Sequence, residues 1–298
     1  MTAASKTSQI GFTTQKRIRK VITYVLMTAL AIFFLFPIVF MFVSSIKNNE
    51  TQVMADMSSL YAFIPRGDLG FTNFTDVFGR MEFGRLLFNS TLIMLVTVIS
   101  GLLVNSLIAY ALARLRFKGR NFLLGVIVAL MIVPFEAVAV PLLLLVNHLP
   151  WFGGASSWLD SYHVQIIPFI ADAFSIFLFY QFFINIPKDL EEAALVDGAG
   201  LLRIYWNIIL PLSRPIFATV AILQALASWN RFMWPLMVTR GANVRPLTVG
   251  MQTFFGQDPR IWGDLMAFAA MITLPVLIVF LLFQKWFVQS VASTGIKG

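Results

Sequence analysis

Three ionisable side chains stand inside long apolar stretches of the sequence, where a charged group is costly and therefore informative. Glu136, Asp172 and Arg231 are each flanked by runs rich in Leu, Ile, Val, Phe and Ala. An ionisable group in an apolar phase needs a partner or a polar cavity, so each is a functional candidate. For Glu136 and Asp172 we favour a structural role, such as an ion pair or a group that reaches the polar interface. The guanidinium of Arg231 is a bidentate partner for carboxylate or phosphate, which makes it the most informative of the three.

The residue types used in most hydrolytic and redox reactions are scarce. The chain has no cysteine, which excludes disulfides, thiolate nucleophiles and Cys-ligated zinc. The two histidines, His148 and His163, are too few for a histidine-rich metal site. A phosphate-binding GxxxxGK[ST] loop is also absent from the sequence. We therefore predict no catalytic residues and no metal site.

The composition is that of a membrane protein. The 298 residues are 58% hydrophobic and 12% charged, with a mean hydropathy of +0.81, whereas soluble proteins are about 45–50% apolar and about 25% charged. This excludes a soluble enzyme, a disordered chain and a nucleic-acid-binding domain as first interpretations. The net charge of +8 fits Lys and Arg gathered beside the cytoplasmic ends of membrane helices. We therefore expect an all-α integral membrane protein embedded in lipid, with no nucleic-acid partner.

Six apolar stretches match the length of about 20 residues with which a helix crosses a hydrocarbon core of about 30 Å. They cover about residues 21–46, 86–113, 122–146, 164–186, 215–239 and 265–284. The first stretch is too long for a signal peptide and lacks a cleavage site, so we expect a retained helix. The chain then consists of a basic N-terminal tail (1–20), a six-helix transmembrane domain (21–290) and a C-terminal tail (291–298).

The distribution of Lys and Arg predicts the orientation of these spans. If the N-terminus is cytoplasmic, twice as many Lys and Arg residues fall on the cytoplasmic side as on the outer side. Cytoplasmic loops carry such an excess of positive charge. The sequence therefore predicts that both termini are cytoplasmic, and that the segment between the fourth and fifth spans is cytoplasmic too.

That segment has the residue pattern of a compact helix–turn–helix. Asp189 is expected to cap a helix, and Glu192, three residues later, is expected to complete a capping box. Gly198 or Gly200 is expected to end this helix in the left-handed conformation that mainly glycine adopts. A second short helix, over residues 201–209, then leads to the fifth span.

The same segment resembles the EAA loop of ATP-binding-cassette (ABC) importer permeases, in which Glu-Ala-Ala is followed by Gly and then by Ile-x-Leu-Pro. The matching residues stand in register: Glu192, Ala193, Ala194, Gly198, Ile208, Leu210 and Pro211. We call residues 187–214 the EAA loop. Other segments are similar to maltose-type sugar permeases, namely residues 89–90, 229–230, 234–235, 247–252, 262–264 and 294–298. The resemblance covers about residues 20–298.

The resemblance implies the type I ABC importer permease fold and the smaller permease subunit of a carbohydrate importer in a bacterial or archaeal cytoplasmic membrane. The implied partners are two ABC ATPase subunits, a second permease that we expect to be a different chain, and an extracytoplasmic solute-binding protein. ATP and Mg would bind to the ATPase subunits, so this chain would hold no cofactor and would not be an enzyme. The implied ATPase-coupling residues are Glu192, Ala193, Ala194, Asp197, Gly198, Ala199 and Pro211, with Lys297 and Gly298 at the C-terminus.

The candidate translocation pathway consists of Glu136, Asp172, Trp229, Asn230, Arg231 and Trp234. Similar permeases more often carry an acid or an amide at the position of Arg231, and two hypotheses follow. In one, Arg231 contacts an acidic sugar, an oligouronate or a sugar phosphate. In the other, it pairs with an acid of this chain or of the second permease. The two tryptophan rings suit the apolar faces of sugars, and they also suit a membrane interface.

Three other functions fit the sequence less well. A secondary transporter or channel, working without an ATPase, would need paired ionisable residues in its spans and would not need an EAA loop. An intramembrane enzyme would need a nucleophile–base pair or metal ligands, and both histidines fall at or near an outer loop. A permease for amino acids or metals in the same superfamily is disfavoured by the Lys-Gly ending and by the Trp-Asn pair.

Overall fold

The computed structural model describes residues 4–151, 156–256 and 260–295, which form helices joined by turns and loops. The helices are α1 (Ala4–Ser45), α2 (Glu50–Met57), α3 (Thr72–Arg80), α4 (Phe83–Arg114), α5 (Arg120–Leu130), α6 (Phe135–His148), α7 (Tyr162–Ile166), α8 (Ala173–Phe183), α9 (Asp189–Val196), α10 (Leu201–Ile204), α11 (Leu210–Leu212), α12 (Arg214–Trp229), α13 (Met233–Val238), α14 (Leu247–Gly250), α15 (Gln252–Phe255) and α16 (Trp262–Gly295). Turns of 3₁₀ helix at Leu60–Phe63 and Ile167–Phe169 and a π-helical turn at Tyr205–Ile209 complete the secondary structure. Two compact units are present: unit 1 (Met1–Val77 with Phe254–Met271) and unit 2 (Phe78–Thr253 with Ile272–Gly298).

Three helical segments are long and apolar enough to cross a membrane: Lys16–Ser45, Phe83–Arg114 and Tyr162–Phe183. Two bent helix pairs are further candidates, with a bend of 103° between α5 and α6 and one of 80° between Leu201–Leu212 and α12. Counting each bent pair as one span gives five spans, and the segment Trp262–Ile278 of α16 is a shorter apolar helix. The all-helical membrane architecture is confirmed, and the count of six stays a prediction.

Proline breaks the predicted third span into two helices. A proline has no N–H to donate, and it disfavours the helical conformation in the residue before it. Accordingly α5 ends at Leu130, Pro134 has extended dihedral angles, and α6 begins at Phe135. The other bend has a related cause, because Pro215 lies in the first turn of α12, where a missing N–H is tolerated.

Unit 1 is organised around the buried ammonium group of Lys47. Its Nζ donates to Asp56 Oδ2 at 2.7 Å and to the Tyr61 carbonyl at 2.8 Å. Lys47 and Asp56 are each only 1% exposed. Arg66 donates to both carboxylate oxygens of Asp56, and its guanidinium lies 3.7 Å from the centre of the Tyr61 ring. The bonds from Arg66, and then those from Lys47, hold the pKa of the Asp56 carboxyl well below its usual range.

Two further side chains of unit 1 bond to backbone groups that would otherwise lack partners. Asn73 Nδ2 donates to the carbonyls of Ser45 and Lys47, both at 2.9 Å, where α1 ends. The Glu50 carboxylate accepts the N–H groups of residues 262–263, at 2.8 and 3.0 Å. These N–H groups open α16, where the unpaired donors and the helix dipole favour an anion.

Unit 2 is built on α4, along which α8 and α12 pack. Its apolar core includes Phe179 and Phe183 from α8 and Val220 from α12. Several polar residues of α4 are buried in these contacts: Asn89, Ser90, Thr97, Asn105 and Ser106. Gly101 allows α12 to come close, because a Cβ at this position would lie 2.6 Å from Gln224 Oε1.

Two asparagines of α4 bond to the backbone of other segments of unit 2. Asn105 Nδ2 donates to the Ile170 carbonyl at 3.0 Å, and its Oδ1 accepts the Asp172 N–H at 2.9 Å. Nearer the start of the helix, Asn89 Nδ2 donates to carbonyls in the loop of residues 242–245. A buried polar group that lacks a partner is strongly destabilising. These amides therefore fix where α8 begins and where that loop lies.

Replacing Asp56 by Asn is expected to destabilise unit 1, because the ammonium of Lys47 would stay buried without its counter-charge. Asp68→Asn is the matched control, since Asp68 is exposed and its carboxylate accepts a long bond of 3.3 Å from Asn48. Thermal unfolding of the detergent-purified protein should begin several degrees lower for Asp56→Asn and at the unmodified temperature for Asp68→Asn. Equal unfolding temperatures for the two variants would contradict this role of Asp56.

The pH dependence of that effect follows from the lowered pKa of Asp56. A carboxyl with a depressed pKa stabilises the folded state above its ordinary pKa of 3.8 and loses this effect as the pH falls through the folded value. The difference in unfolding temperature between the unmodified protein and Asp56→Asn should therefore be constant from neutral to mildly acidic pH. A difference that disappears in mildly acidic buffer would show that the pKa is not depressed.

Candidate functional site

The EAA loop folds as a helix–turn–helix in which α9 is the first helix. The predicted left-handed glycine at its end is confirmed at Gly198, whose φ is +80°, and not at Gly200. The predicted capping box of Asp189 and Glu192 is wrong, because no side chain caps the helix. Lys188 already has helical dihedral angles and its carbonyl accepts the first helical bonds, so the helix starts one residue earlier than predicted. The acidic residues of this first turn still lie at the positive end of the helix dipole, where negative charge is favourable.

One side of the EAA loop presents apolar and small side chains to the outside of the chain. Val196 is 88% exposed and Leu202 is 67% exposed, and Leu190, Leu195, Leu201 and Trp206 are exposed beside them. Among the implied coupling residues, Glu192, Ala193, Asp197 and Gly198 are exposed, whereas Ala194, Ala199 and Pro211 are half-buried. An exposed apolar patch of this kind marks an interaction surface. Lys297 and Gly298 lie outside the described residues.

The other side of α9 is anchored to the end of α4 by an ion pair. Arg114 Nε lies 2.7 Å from Glu191 Oε1, and both side chains are buried, at 4% and 11% exposure. The same guanidinium donates through Nη2 to the Ile186 carbonyl at 2.7 Å. Burial raises the pKa of the Glu191 carboxyl, and the nearby charges of Arg114 and then Lys188 oppose the rise. Neither Arg114 nor Glu191 was predicted as a site residue.

The second half of the EAA loop is also held by α4. The π-helical turn that follows α10 buries Tyr205 completely, and its hydroxyl lies 2.7 Å from Ser106 Oγ. The hydroxyl of Tyr110 donates to the Leu201 carbonyl at 3.4 Å, and the rings of Tyr110 and Tyr205 are 5.4 Å apart. π-helical turns occur often at functional sites. The sequence signal for these contacts is the spacing of Ser106, Tyr110 and Arg114, one helical turn apart.

A cavity of about 450 Å³ lies in unit 2, and Arg231 and Asp172 both line it. The guanidinium carbon of Arg231 is 3.5 Å from the centre of the Phe169 ring, which is a cation–π contact. Arg231 Nη1 is buried without a hydrogen-bond partner among the described residues. Gln224, on the same wall, donates to Ser175 Oγ at 3.3 Å, and its Oε1 also has no partner within the described part of the chain. Both residues line the cavity, and these two unpaired atoms are themselves buried in its wall.

Asp172 has a structural task at this cavity. Its Oδ2 accepts the N–H of Ser175 at 2.7 Å and the hydroxyl of Ser175 at 2.6 Å, so it caps α8. Over the described residues, no carboxylate oxygen lies within 4.0 Å of a guanidinium nitrogen of Arg231. The two charges share the cavity without forming an ion pair.

The other predicted pathway residues do not line this cavity. Trp234 is completely buried, donates from Nε1 to the Val164 carbonyl at 2.9 Å and packs edge-on against Phe135. Trp229 is buried in α12, Asn230 is exposed and donates back to the Leu226 carbonyl, and Glu136 is exposed in the first turn of α6. The structure thus places Arg231 and Asp172 in the lining of one cavity, and the other four predicted residues are not part of that lining.

Comparison with known proteins connects this geometry to a family. Residues 101–293 match the family described as the binding-protein-dependent transport system inner membrane component. The chain is 33% identical over 270 residues to the arabinooligosaccharides transport system permease protein AraQ of Bacillus subtilis, covering 90% of this chain and 92% of that protein. It is 32% identical over 214 residues to the sn-glycerol-3-phosphate transport system permease protein UgpE of Yersinia enterocolitica, covering 71% and 74%.

A solved structure shares the fold. It is a bacterial ABC transporter involved in the import of the acidic polysaccharide alginate, with a TM-score of 0.78, 25% identity, and coverage of 92% of this chain and 98% of that chain. The all-helical architecture described above is accordingly a type I ABC permease fold. The chain belongs to the binding-protein-dependent transport system inner membrane components, and it is a permease subunit of an ABC importer.

Proposed function

We propose that this chain imports a carbohydrate across a bacterial or archaeal cytoplasmic membrane, as one of two permeases working by alternating access. Its partners are two ABC ATPases, a second permease of different sequence and an extracytoplasmic solute-binding protein. The observation that carries the proposal is the EAA loop, with an exposed apolar side for the ATPase and a buried side held by α4. The relatives named above, permeases for arabinooligosaccharides and for sn-glycerol-3-phosphate, support a carbohydrate or a sugar-like phosphate as the solute.

The proposed membrane topology has six spans with both termini in the cytoplasm. The bent pair α5–α6 and the bend before α12 each belong to one span, and α16 supplies the sixth. This orientation puts the EAA loop on the side that carries most of the Lys and Arg residues. It also puts Lys297 and Gly298 on the ATPase side, where we place the C-terminal tail against the ATPase pair.

Energy conversion takes place in the partners. The sequence holds no GxxxxGK[ST] loop, so ATP and Mg bind to the ATPase subunits and this chain performs no hydrolysis. The contribution of this chain is mechanical. Closure of the two ATPases pushes on Glu192, Ala193 and Val196 of α9, and the small side chain of Ala193 lets the partner approach closely. The secondary transporter proposed as the rival function is set aside, because the chain belongs to the importer family.

Arg231 is the proposed solute contact of this subunit, and the solute class it selects is acidic. Arg231 lines the cavity, stacks on Phe169 and has no carboxylate partner among the described residues, so its guanidinium is available to a carboxylate or phosphate of a solute. The related ABC transporter is involved in the import of the acidic polysaccharide alginate, and the related permease belongs to a transport system for sn-glycerol-3-phosphate, whose phosphate group is acidic. The rival role for Arg231 is an ion pair with an acid of the second permease.

The assembly is tested by purifying the tagged chain from its native membrane in mild detergent and identifying its companions by mass spectrometry. Recovery of an ABC ATPase, a second permease and a binding protein is the expected result, and the solute retained by the binding protein identifies the substrate. A chain that is recovered alone and transports in liposomes without ATP would contradict the proposal.

The docking surface is tested at Val196, the most exposed apolar residue of the EAA loop. Val196→Asp would bury a carboxylate in the ATPase contact, so the ATPase retained on the purified chain should fall about tenfold or more. Val196→Ala, which removes two methyl groups and adds no charge, is the matched control and should retain most of the ATPase. Equal ATPase recovery with Val196→Asp and with the unmodified chain would place the docking surface elsewhere.

The solute contact is tested with Arg231→Gln. Loss of a charged hydrogen bond to the solute predicts that uptake of an acidic sugar falls by about 10-fold to 100-fold, with assembly and ATP hydrolysis unchanged. Arg231→Lys keeps the positive charge but loses the planar guanidinium with its paired N–H donors, so its rate of uptake should be intermediate. Unchanged transport together with poor recovery of the second permease would show that Arg231 pairs with that subunit instead.

A further inference from the structure

Three polar side chains on one face of α4 all contact the EAA loop. Ser106, Tyr110 and Arg114 are spaced four residues apart, so they lie above one another on the helix. Each has a partner in or next to the EAA loop. Ser106 meets the Tyr205 hydroxyl, Tyr110 meets the Leu201 carbonyl, and Arg114 meets Glu191. We call these three residues the α4 stripe.

The two adjacent glutamates of α9 have opposite environments. Glu191 is buried against Arg114, whereas Glu192 is exposed on the side proposed for the ATPase. Removing one partner of a buried ion pair leaves an uncompensated charge, which is strongly destabilising. The guanidinium of Arg114 also bonds to the Ile186 carbonyl, so the pair joins α4, the turn that follows α8, and α9 at one point.

The same helix also forms part of the wall of the Arg231 cavity. Thr97 of α4 lines that cavity, and it lies on the same continuous helix as the α4 stripe. No proline interrupts α4 between Thr97 and Arg114. Ser100 and Gly101 form the kind of pair at which helices bend, and in the structure they lie within the continuous helix α4. A displacement of the α4 stripe therefore moves the cavity wall only when this pair stays helical.

We infer that the α4 stripe locks the EAA loop to α4 so that the two move as one rigid body, with Arg114 and Glu191 as the positioning residues of this joint. The inference rests on the proposed function. An ATPase that tilts α9 then tilts α4 and the cavity wall by the same motion. Without the ion pair, α9 could rotate under the ATPase while α4 stays in place, and ATP would be hydrolysed without import.

The first experiment measures import and ATP hydrolysis in proteoliposomes that contain the complete complex. Arg114→Gln and Glu191→Gln should each retain the ATPase subunits and hydrolyse ATP, while solute imported per ATP falls about tenfold or more. Glu82→Gln is the matched control, because it removes an exposed pair with Arg85 at the other end of α4, whose charges are 3.7 Å apart. Import by Arg114→Gln or Glu191→Gln at the unmodified ratio would overturn the inference.

The second experiment replaces the ion pair by a covalent cross-link. Because the sequence of this chain has no cysteine, the introduced cysteines are its only thiols. The double variant Arg114→Cys with Glu191→Cys should import poorly, and a short reducible thiol cross-linker should restore import until the linker is cleaved. The two single cysteine variants, treated in the same way, are the controls. A cross-link that forms without restoring import would overturn the inference.

A third variant covers the case in which loss of the ion pair prevents assembly. Ser106→Cys with Tyr205→Cys keeps Arg114 and Glu191 in place and joins α4 to the EAA loop at the opposite end of the stripe. Import that continues after cross-linking supports the rigid joint, and import that stops until the linker is cleaved overturns it. If the unmodified chain retains no ATPase, the proposed function fails. If the unmodified chain retains the ATPase and Arg114→Gln imports at the unmodified ratio, only this inference fails.

Discussion

The arrangement of unit 2 depends on one constraint, which is that polar groups surrounded by apolar side chains must find partners within the protein. α4 supplies most of these partners. Asn89 holds the loop of residues 242–245, Asn105 holds the start of α8, and Arg114 holds α9. In an apolar phase a missing partner costs several kcal/mol, so these contacts define positions that apolar packing alone would leave free. The helix serves as the axis to which the other segments of the unit are attached.

This attachment explains how one chain serves two tasks. The EAA loop needs an exposed side to bind an ATPase and a fixed side to transmit force, and α9 has both within two consecutive residues, Glu191 and Glu192. At the cavity the situation is reversed. Arg231 keeps an unpaired nitrogen among the described residues, while Asp172 spends its carboxylate on capping α8. At the cavity, Asp172 therefore belongs to the frame, and Arg231 marks the position where we expect a ligand or a second subunit.

The sequence predicted features that depend on local chemistry. The left-handed glycine at Gly198 and the apolar helices follow from residue type and spacing, and the EAA residues led to the correct family. The predicted capping box failed because the helix begins one residue earlier, which places Asp189 inside the first turn and not at the cap position. The Arg114 contacts escaped prediction because their partners are remote in sequence: Ile186 is 72 residues away. Trp234, predicted for the pathway, is completely buried in the structure, and its sequence could not predict this because an aromatic residue looks the same there whether it binds a sugar or fills a core.

Whether α4 and the EAA loop move as one body can be measured as the distance between them in the working complex. Spin labels are attached at Leu103 on α4 and at Asp189 on α9. Both residues are exposed, and neither belongs to the α4 stripe. Pulsed electron spin resonance then compares the nucleotide-free complex with the vanadate-trapped complex, whose trapping is verified by inhibited ATP hydrolysis. A rigid joint gives the same distance distribution in both states. A distribution that shifts on trapping would contradict it.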